Sequence, residues 1–347
     1  MPANTAAYYP LIVSQIKRLA KDSVKISFTL PKGLEDIFTF YPGQYILIKL
    51  KYNKEYLYRN YSICSGPGEG ISIAVKALPH GKVSRYLNEV LNEGDTVMVS
   101  APRGSFILDE SAQQIVLIGA GSGITPLISM YKYALAGAKT PILLYGNRNE
   151  DSMMFCEEVS EMEKTRTFLF YSGERKPDTF YGRIDATNLD LVTKTNPSIL
   201  DANAFYICGP NDMIETTCRF LKGKGIAEEN IHFERFTTSA ETEGKAPQPD
   251  TNFSDNCHLT IRLDGETSHI TIKPDSISLL ENILKAGIDA PFSCKSGVCG
   301  SCRAKLKTGK VSVLANYALT PEELEQGYIL TCKALAASAE ISINYDA

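Results

Sequence analysis

Apolar and polar residues in the first hundred positions fall into short β-rich runs: VKISFTL, QYILIKL, ISIAVKAL and TVMVS. Turn signals at Pro42-Gly43, Gly66-Pro67-Gly68 and Pro102-Arg103-Gly104 separate several of them. One helix is predicted over 83–91, where Val83, Tyr86, Leu87, Val90 and Leu91 recur at helical spacing. Residues 1–110 therefore read as a small antiparallel β-barrel. From about 112 the pattern changes. QIVLIGA, TPILLYG, TFLFYSG and AFYICGP are near-continuous apolar runs ending in small-residue turns, with helices predicted over 126–136, 153–164 and 213–223. Buried strands alternating with helices indicate an α/β parallel sheet over 111–236, with ligands expected beyond the carboxyl ends of its strands.

Residues 237–256 hold two prolines and almost no large apolar side chain, the composition of a linker. The remainder, 257–347, opens with strands HLTIRL and HITIK. A helix follows over 278–286, with Leu279, Leu280, Ile283 and Leu284 on one face and Gly287 as its stop. The chain reads as multidomain, closing with a small α+β unit.

Composition narrows the function classes. Of 347 residues, 44% are hydrophobic, which is enough to bury several cores. Thirty-six basic against 40 acidic residues give a net charge of −4 without a basic block, so neither nucleic acid nor a membrane surface is the expected partner. No apolar run approaches the roughly 18 residues of a membrane span, and the first residues lack the pattern of a signal peptide. A cytoplasmic location is expected. Nine cysteines are present, three of them within nine consecutive residues, which points to a metal site rather than a disulfide frame.

That cluster reads Cys294-x4-Cys299-x2-Cys302, with Cys332 after 29 intervening residues. It is the spacing of plant-type 2Fe-2S ferredoxins, whose potential is on the order of −400 mV. Four thiolates must converge on two bridged irons, and Gly297 and Gly300 let backbone amides approach the sulfurs. A four-cysteine zinc site is the alternative, although structural zinc usually takes paired C-x2–4-C knuckles. Chance clustering of buried thiols is another.

Arg59-Asn60-Tyr61-Ser62 ends a β-rich stretch. Arg can pair with a phosphate, Tyr can stack on a flavin, and Ser can hydrogen-bond the ring edge; a surface Arg and a core Tyr are the plain alternative. Gly81-Lys82-Val83-Ser84 opens a helix, where amides favour a pyrophosphate. Gly119-Ala120-Gly121-Ser122-Gly123-Ile124-Thr125-Pro126 follows a strand and opens another helix. It is not G-x-G-x-x-G, and simple tight packing also explains it. Cys208, before Gly209-Pro210, reads alone as a small buried hydrophobe. Arg148, Ser172, Arg175 and Lys176 follow successive strands where a 2′-phosphate could sit, a lean toward NADPH over NADH, but Glu174 stands among them and solvated charged loops are the alternative.

The segments FYPGQ, RNYSIC, IAVKALPHGKVSRYL, GAGSGITP, YGNRNEDSMMF, YICGPNDM, HFERF, CKSGVCGSC, NYALTPEEL and GYILTC carry a family resemblance over residues 8–346. The chain resembles the ferredoxin–NADP⁺ reductase superfamily with a plant-type ferredoxin domain at its C-terminus. It is similar throughout to the reductase subunits that serve bacterial phenylacetyl-CoA epoxidases. The resemblance implies a β-grasp fold for 257–347, with Cys294, Cys299, Cys302 and Cys332 as cluster ligands. It places FAD on Arg59, Tyr61, Ser62, Lys76, Gly81, Val83, Ser84 and Thr125, with Phe236 covering the ring where plant-type enzymes have a C-terminal Tyr. FMN is the alternative flavin, and a core role the alternative for Phe236. NADPH or NADH would lie on Gly121, Ser122, Cys208, Gly209, Pro210 and Met213, with hydride passing near Ser62, Cys208 and Glu234.

An oxygenase centre is missing: there are four histidines, no C-x-H pair, and a single E-x-x-H at Glu229 and His232, where His232 reads as a strand-edge residue. The electrons are therefore expected to leave for a separate oxygenase component, of the phenylacetyl-CoA epoxidase type. A Rieske dioxygenase or desaturase partner, and a zinc-stabilised nucleotide-binding or redox-sensing module without turnover, are the competing readings.

Overall fold

A computed structural model describes residues 8–52, 55–236, 256–273 and 277–347. The linker expected over 237–256 lies, apart from Asn256, outside the described residues. The first sheet comprises β1 (Tyr8–Ala20), β2 (Ser23–Thr29), β3 (Tyr45–Tyr52), β4 (Glu55–Ser62), β5 (Ile71–Lys76) and β6 (Thr96–Ser100), all paired antiparallel in the order β4-β3-β6-β1-β2-β5. An Ile63–Ile73 bridge joins its two edges and closes a barrel. Inward residues such as Leu11, Val13, Ile26, Ile48, Ile73 and Val99 fill it. Helix α1 (Lys82–Glu89) buries Val83 and Leu87 against this core, but Val90, expected on the same face, follows the helix end and is 55% exposed.

Strand β1 escaped the sequence pattern for a physical reason. Leu11 and Val13 point inward, but register shifts at Val13/Gln15 and Arg18/Ala20 then break the two-residue alternation.

The second sheet is parallel. Its strands are β7 (Gln114–Ala120), β8 (Thr140–Asn147), β9 (Thr167–Tyr171), β10 (Phe180–Tyr181), β11 (Ala204–Gly209) and β12 (Ile231–Arg235), in the order β10-β9-β8-β7-β11-β12. Strand order reverses between β7 and β11, the switch point at which ligands bind such sheets. Helices α2 (Ile124–Ala136), α3 (Cys156–Ser160), α4 (Ala186–Thr195) and α5 (Asn211–Gly223) cover it. The helix predicted over 153–164 is largely absent. Met153 and Met154 are buried in non-helical backbone and Phe155 has φ +58°, so only α3 remains helical. His232 lies on edge strand β12, in line with reading it as a strand-edge residue rather than a metal ligand.

The third sheet contains β13 (Cys257–Leu263), β14 (Glu266–Ile272), β15 (Arg303–Thr308), β17 (Tyr328–Leu330) and β19 (Glu340–Asn344), in the order β14-β13-β19-β15-β17; β16 (Val311–Val313) pairs with β18 (Ala334–Ala336). Helix α6 (Leu279–Lys285) is capped by Ser278 and buries Leu279, Leu280 and Ile283 against it, the β-grasp arrangement. A short helix α7 (Pro321–Glu325) follows.

The first two sheets are welded together. Cys64, Phe106 and Leu108 from the barrel side share one core with Leu117, Leu127 and Tyr145. The Ser129 hydroxyl donates to the Ser65 carbonyl at 2.7 Å, and Lys132 reaches Glu69 at 3.1 Å and Glu158 at 2.9 Å. The third sheet has its own core. No helix of the described residues is long and apolar enough to cross a membrane.

Candidate functional site

A cleft of about 1510 Å³ runs from the barrel, across the carboxyl ends of β7 and β11, to the third domain. A single small-ligand pocket usually holds about 300–1,000 Å³, so this cleft has room for more than one cofactor. Arg59, Tyr61, Ser62, Lys76, Gly81, Val83, Ser84, Thr125 and Phe236 all line it. At the start of α1, the Ser84 hydroxyl accepts a hydrogen bond from the Leu78 amide at 3.1 Å. A Cβ on Gly81 would stand 2.3 Å from that hydroxyl oxygen. Gly81, Lys82, Val83 and Ser84 all line the cleft at this helix start, a placement that suits the pyrophosphate of FAD.

On the other wall, Gly121 has φ +55° and its carbonyl accepts from the Tyr145 hydroxyl at 3.1 Å. Gly121, Ser122, Gly209, Pro210 and Met213 line the cleft. A Cβ on Gly123 would fall 2.1 Å from the Cys208 carbonyl oxygen, so the β7 loop lies directly on the end of β11. This close backbone approach at the switch point fits a dinucleotide.

The residues expected at the hydride position do not all meet there. Ser62 faces the cleft, whereas Cys208 is fully buried in the core shared by barrel and parallel sheet. Glu234 pairs in register with Cys208 across β11 and β12. It lines a separate cavity of about 150 Å³ where all three domains meet, with Tyr45, Phe106, His232, Val298 and Tyr317. Its Oε2 is buried without a hydrogen-bond partner among the described residues. Burial of its carboxyl pushes Glu234 up from 4.5 to about 8, which favours the protonated form at neutral pH. The unfolded chain would release that proton above its ordinary value. Native stability should therefore fall as pH rises from about 4.5 to about 8, by at most about 5 kcal/mol. Thermal unfolding of wild type and Glu234→Gln from pH 5 to 9 checks this: the Gln variant should lose the slope and become relatively more stable at the alkaline end.

At the far end of the cleft, Arg148 and Ser172 line the wall, but Arg175 and Lys176 do not. The Arg175 guanidinium lies 4.0 Å from the Tyr181 ring centroid, and Lys176 is paired with Glu150. Glu174 accepts a hydrogen bond from the Glu150 amide at 2.6 Å. Sequence reasoning missed His80, Arg183 and Asp185, which also line the cleft. The positive φ of His80 beside Gly81 was not legible, whereas Asp185, the N-cap of α4, carried a readable helix-start signal.

Cys294, Cys299, Cys302 and Cys332 are free thiols brought together by the loop after α6 and the turn after β17. They associate in two hydrogen-bonded pairs, Cys294 with Cys299 and Cys302 with Cys332. Amides of Ser296 and Val298 point at the Cys294 sulfur, and that of Gly297 at the Cys332 sulfur. Lys295, Gly297 and Gly300 all have positive φ, which turns the loop inward. Among the described residues no three Cys, His, Asp or Glu side chains are grouped around one ion position. Four thiols converging from one loop and a second turn, with amides aimed at their sulfurs, could hold an iron–sulfur cluster. Ser293, Cys294 and Ser296 also line the large cleft, so the cluster loop forms its third wall. No sequence signal announced this contact, because it depends on how the domains pack.

Comparison with known proteins finds three family domains along the chain. Residues 10–107 match the oxidoreductase FAD-binding domain, 117–219 the oxidoreductase NAD-binding domain, and 261–337 the 2Fe-2S iron-sulfur cluster binding domain. The chain is 34% identical to one of the subunits of 1,2-phenylacetyl-CoA epoxidase from Escherichia coli, covering 98% of each chain. It is 30% identical to the ferredoxin reductase component of 3-ketosteroid-9-alpha-monooxygenase from Mycolicibacterium smegmatis, over 97% of this chain and 96% of that one. Among solved structures, phthalate dioxygenase reductase superposes with TM-score 0.61 at 26% identity, over 97% of this chain and 98% of that one.

Proposed function

Since the chain belongs to the family of NAD(P)H-dependent iron–sulfur flavoprotein reductases built from FAD-binding, NAD-binding and 2Fe-2S domains, we propose that it delivers electrons to a separate oxygenase of the phenylacetyl-CoA epoxidase type. The observation that carries the relay is the shared cleft: flavin-site candidates, nicotinamide-site candidates and the Cys294 loop line one continuous space. When bound, FAD takes a hydride's two electrons together and releases them singly to an iron–sulfur cluster, which accepts one at a time. The chain's own residues supply position and charge. Arg59 and the start of α1 would hold the FAD phosphates, Tyr61 and Phe236 would pack on the flavin ring, and Ser62 and Thr125 would offer hydrogen bonds to it. Gly121, Ser122 and the Gly209-Pro210 turn would hold the dinucleotide. Cys294, Cys299, Cys302 and Cys332 would bind the cluster.

The partner assignment is supported by identity to the Escherichia coli epoxidase component over nearly the whole of both chains. Reconstitution with the oxygenase components of a phenylacetyl-CoA epoxidase tests it. NADPH oxidation coupled to epoxide formation is expected, and coupling only to a ring-hydroxylating dioxygenase would favour the alternative suggested by the likeness to phthalate dioxygenase reductase.

NADPH is the preferred donor on this reading. Arg148, Ser172 and Arg183 line the far end of the cleft, while Glu174 is engaged by the Glu150 amide. Loss of a charge-assisted contact costs about 1.5–3 kcal/mol. Arg148→Ala should therefore raise KM for NADPH by about tenfold or more while leaving KM for NADH unchanged. Steady-state kinetics with both nucleotides measure it.

A further inference from the structure

We propose that Tyr45 is the positioning residue that holds the cluster loop against the flavin side of the molecule and thereby sets the rate of the flavin-to-cluster step. The inference rests on the electron path proposed above. Tyr45 begins β3, and its cross-strand partner on β4 is Ser62, a wall of the cleft. On its other side the backbone is clamped to Arg103 by two reciprocal hydrogen bonds of 2.8 Å. From this anchor the side chain crosses into the third domain, where its hydroxyl donates to the carbonyl oxygen of the cluster-ligand candidate Cys299 at 3.0 Å.

The fit on both sides requires glycine. A Cβ on Gly104 would stand 2.9 Å from the Tyr45 ring, and a Cβ on Gly300, between Cys299 and Cys302, would stand 2.7 Å from its hydroxyl. Tyr45 is only 6% exposed. Of the charges beside it, Arg103 faces both Arg303 and Glu323 of the third domain, a like and an opposite charge that are themselves paired at 3.0 Å. A directional hydrogen bond seated between two glycines therefore fixes the loop. It also links Ser62 to a cluster ligand through one residue pair and one hydrogen bond.

The test uses the full-length holoenzyme as wild type, Tyr45→Phe and Tyr45→Leu, with FAD and iron contents measured first. Each is mixed anaerobically with NADPH in a stopped-flow spectrometer, and the flavin and cluster bands are followed separately. Tyr45→Phe should leave the flavin phase unchanged and slow the cluster phase about fivefold, the equivalent of one hydrogen bond. Tyr45→Leu, which also loses the ring, should slow it further. An unchanged cluster phase in both variants overturns the proposal. So does equal slowing of both phases, which would place the effect on the flavin site through Ser62. Failure of the electron path itself looks different: the wild-type cluster would bleach with dithionite but not with NADPH.

Discussion

Cys302→Ser is expected to cut electron delivery to the acceptor by more than about 100-fold, beyond the cost of losing a contact that merely supports a ligand, while flavin bleaching by NADPH continues at the wild-type rate. Cys302 is 2% exposed, hydrogen-bonds Cys332 through its thiol, and accepts bonds at its carbonyl from the Thr331 amide and hydroxyl at 3.1 and 2.9 Å. Backbone geometry there survives the substitution, so what changes is the donor atom. A hydroxyl is a poor ligand for iron that prefers soft thiolate. Iron and sulfide content should fall with delivery. The flavin step is spared because the barrel and parallel sheet share a core to which the third domain contributes nothing. Iron analysis, stopped-flow flavin reduction and an acceptor-linked assay on the same preparation separate the two steps.

Gly123→Ala is expected to do the reverse, slowing flavin reduction by NADPH about 100-fold, the penalty of a displacement near 1 Å at a reacting pair. Its new Cβ would meet the Cys208 carbonyl oxygen at 2.1 Å, the Cys208 carbonyl carbon at 2.5 Å and the Gly209 nitrogen at 2.8 Å. All three are backbone atoms of β11 and its turn, which cannot rotate aside as a side chain would. Backbone conformation is not the obstacle, since Gly123 has φ −64°. The β7 loop must therefore lift from the β11 end, which separates the two walls proposed to hold the nicotinamide. FAD content should stay near wild type, and a dithionite-reduced sample should still pass electrons to the acceptor.

Ligand chemistry was more legible in the sequence than tertiary arrangement. The cysteine loop could be read because spacing alone limits what four thiolates can bind; the structure adds the amides aimed at their sulfurs and the loop's place along the cleft. The parallel sheet was legible where strands are buried on both faces, as at β7, β8 and β11. Strand β1 was not, because its bulges shift the alternation. Helix α4 was missed because Leu189 and Val192 are its buried apolar residues while Leu191 is exposed. The helix over 153–164 was over-read because Met153, Met154 and Phe155 are apolar in a helical-looking run but lie in non-helical backbone, extended at Met153 and left-handed at Phe155. Arg175 and Lys176 were selected for their charge, yet Tyr181 and Glu150 engage them. The placement of Glu234 in a three-domain cavity, and of the Cys294 loop along the cleft, follows from packing between domains that no local pattern encodes.

The most direct test of the relay is the anaerobic absorbance spectrum during stoichiometric addition of NADPH. Bleaching of both the flavin and the iron–sulfur bands is the predicted result. Flavin bleaching beside an unchanged cluster band, or the absence of any cluster band, would contradict it.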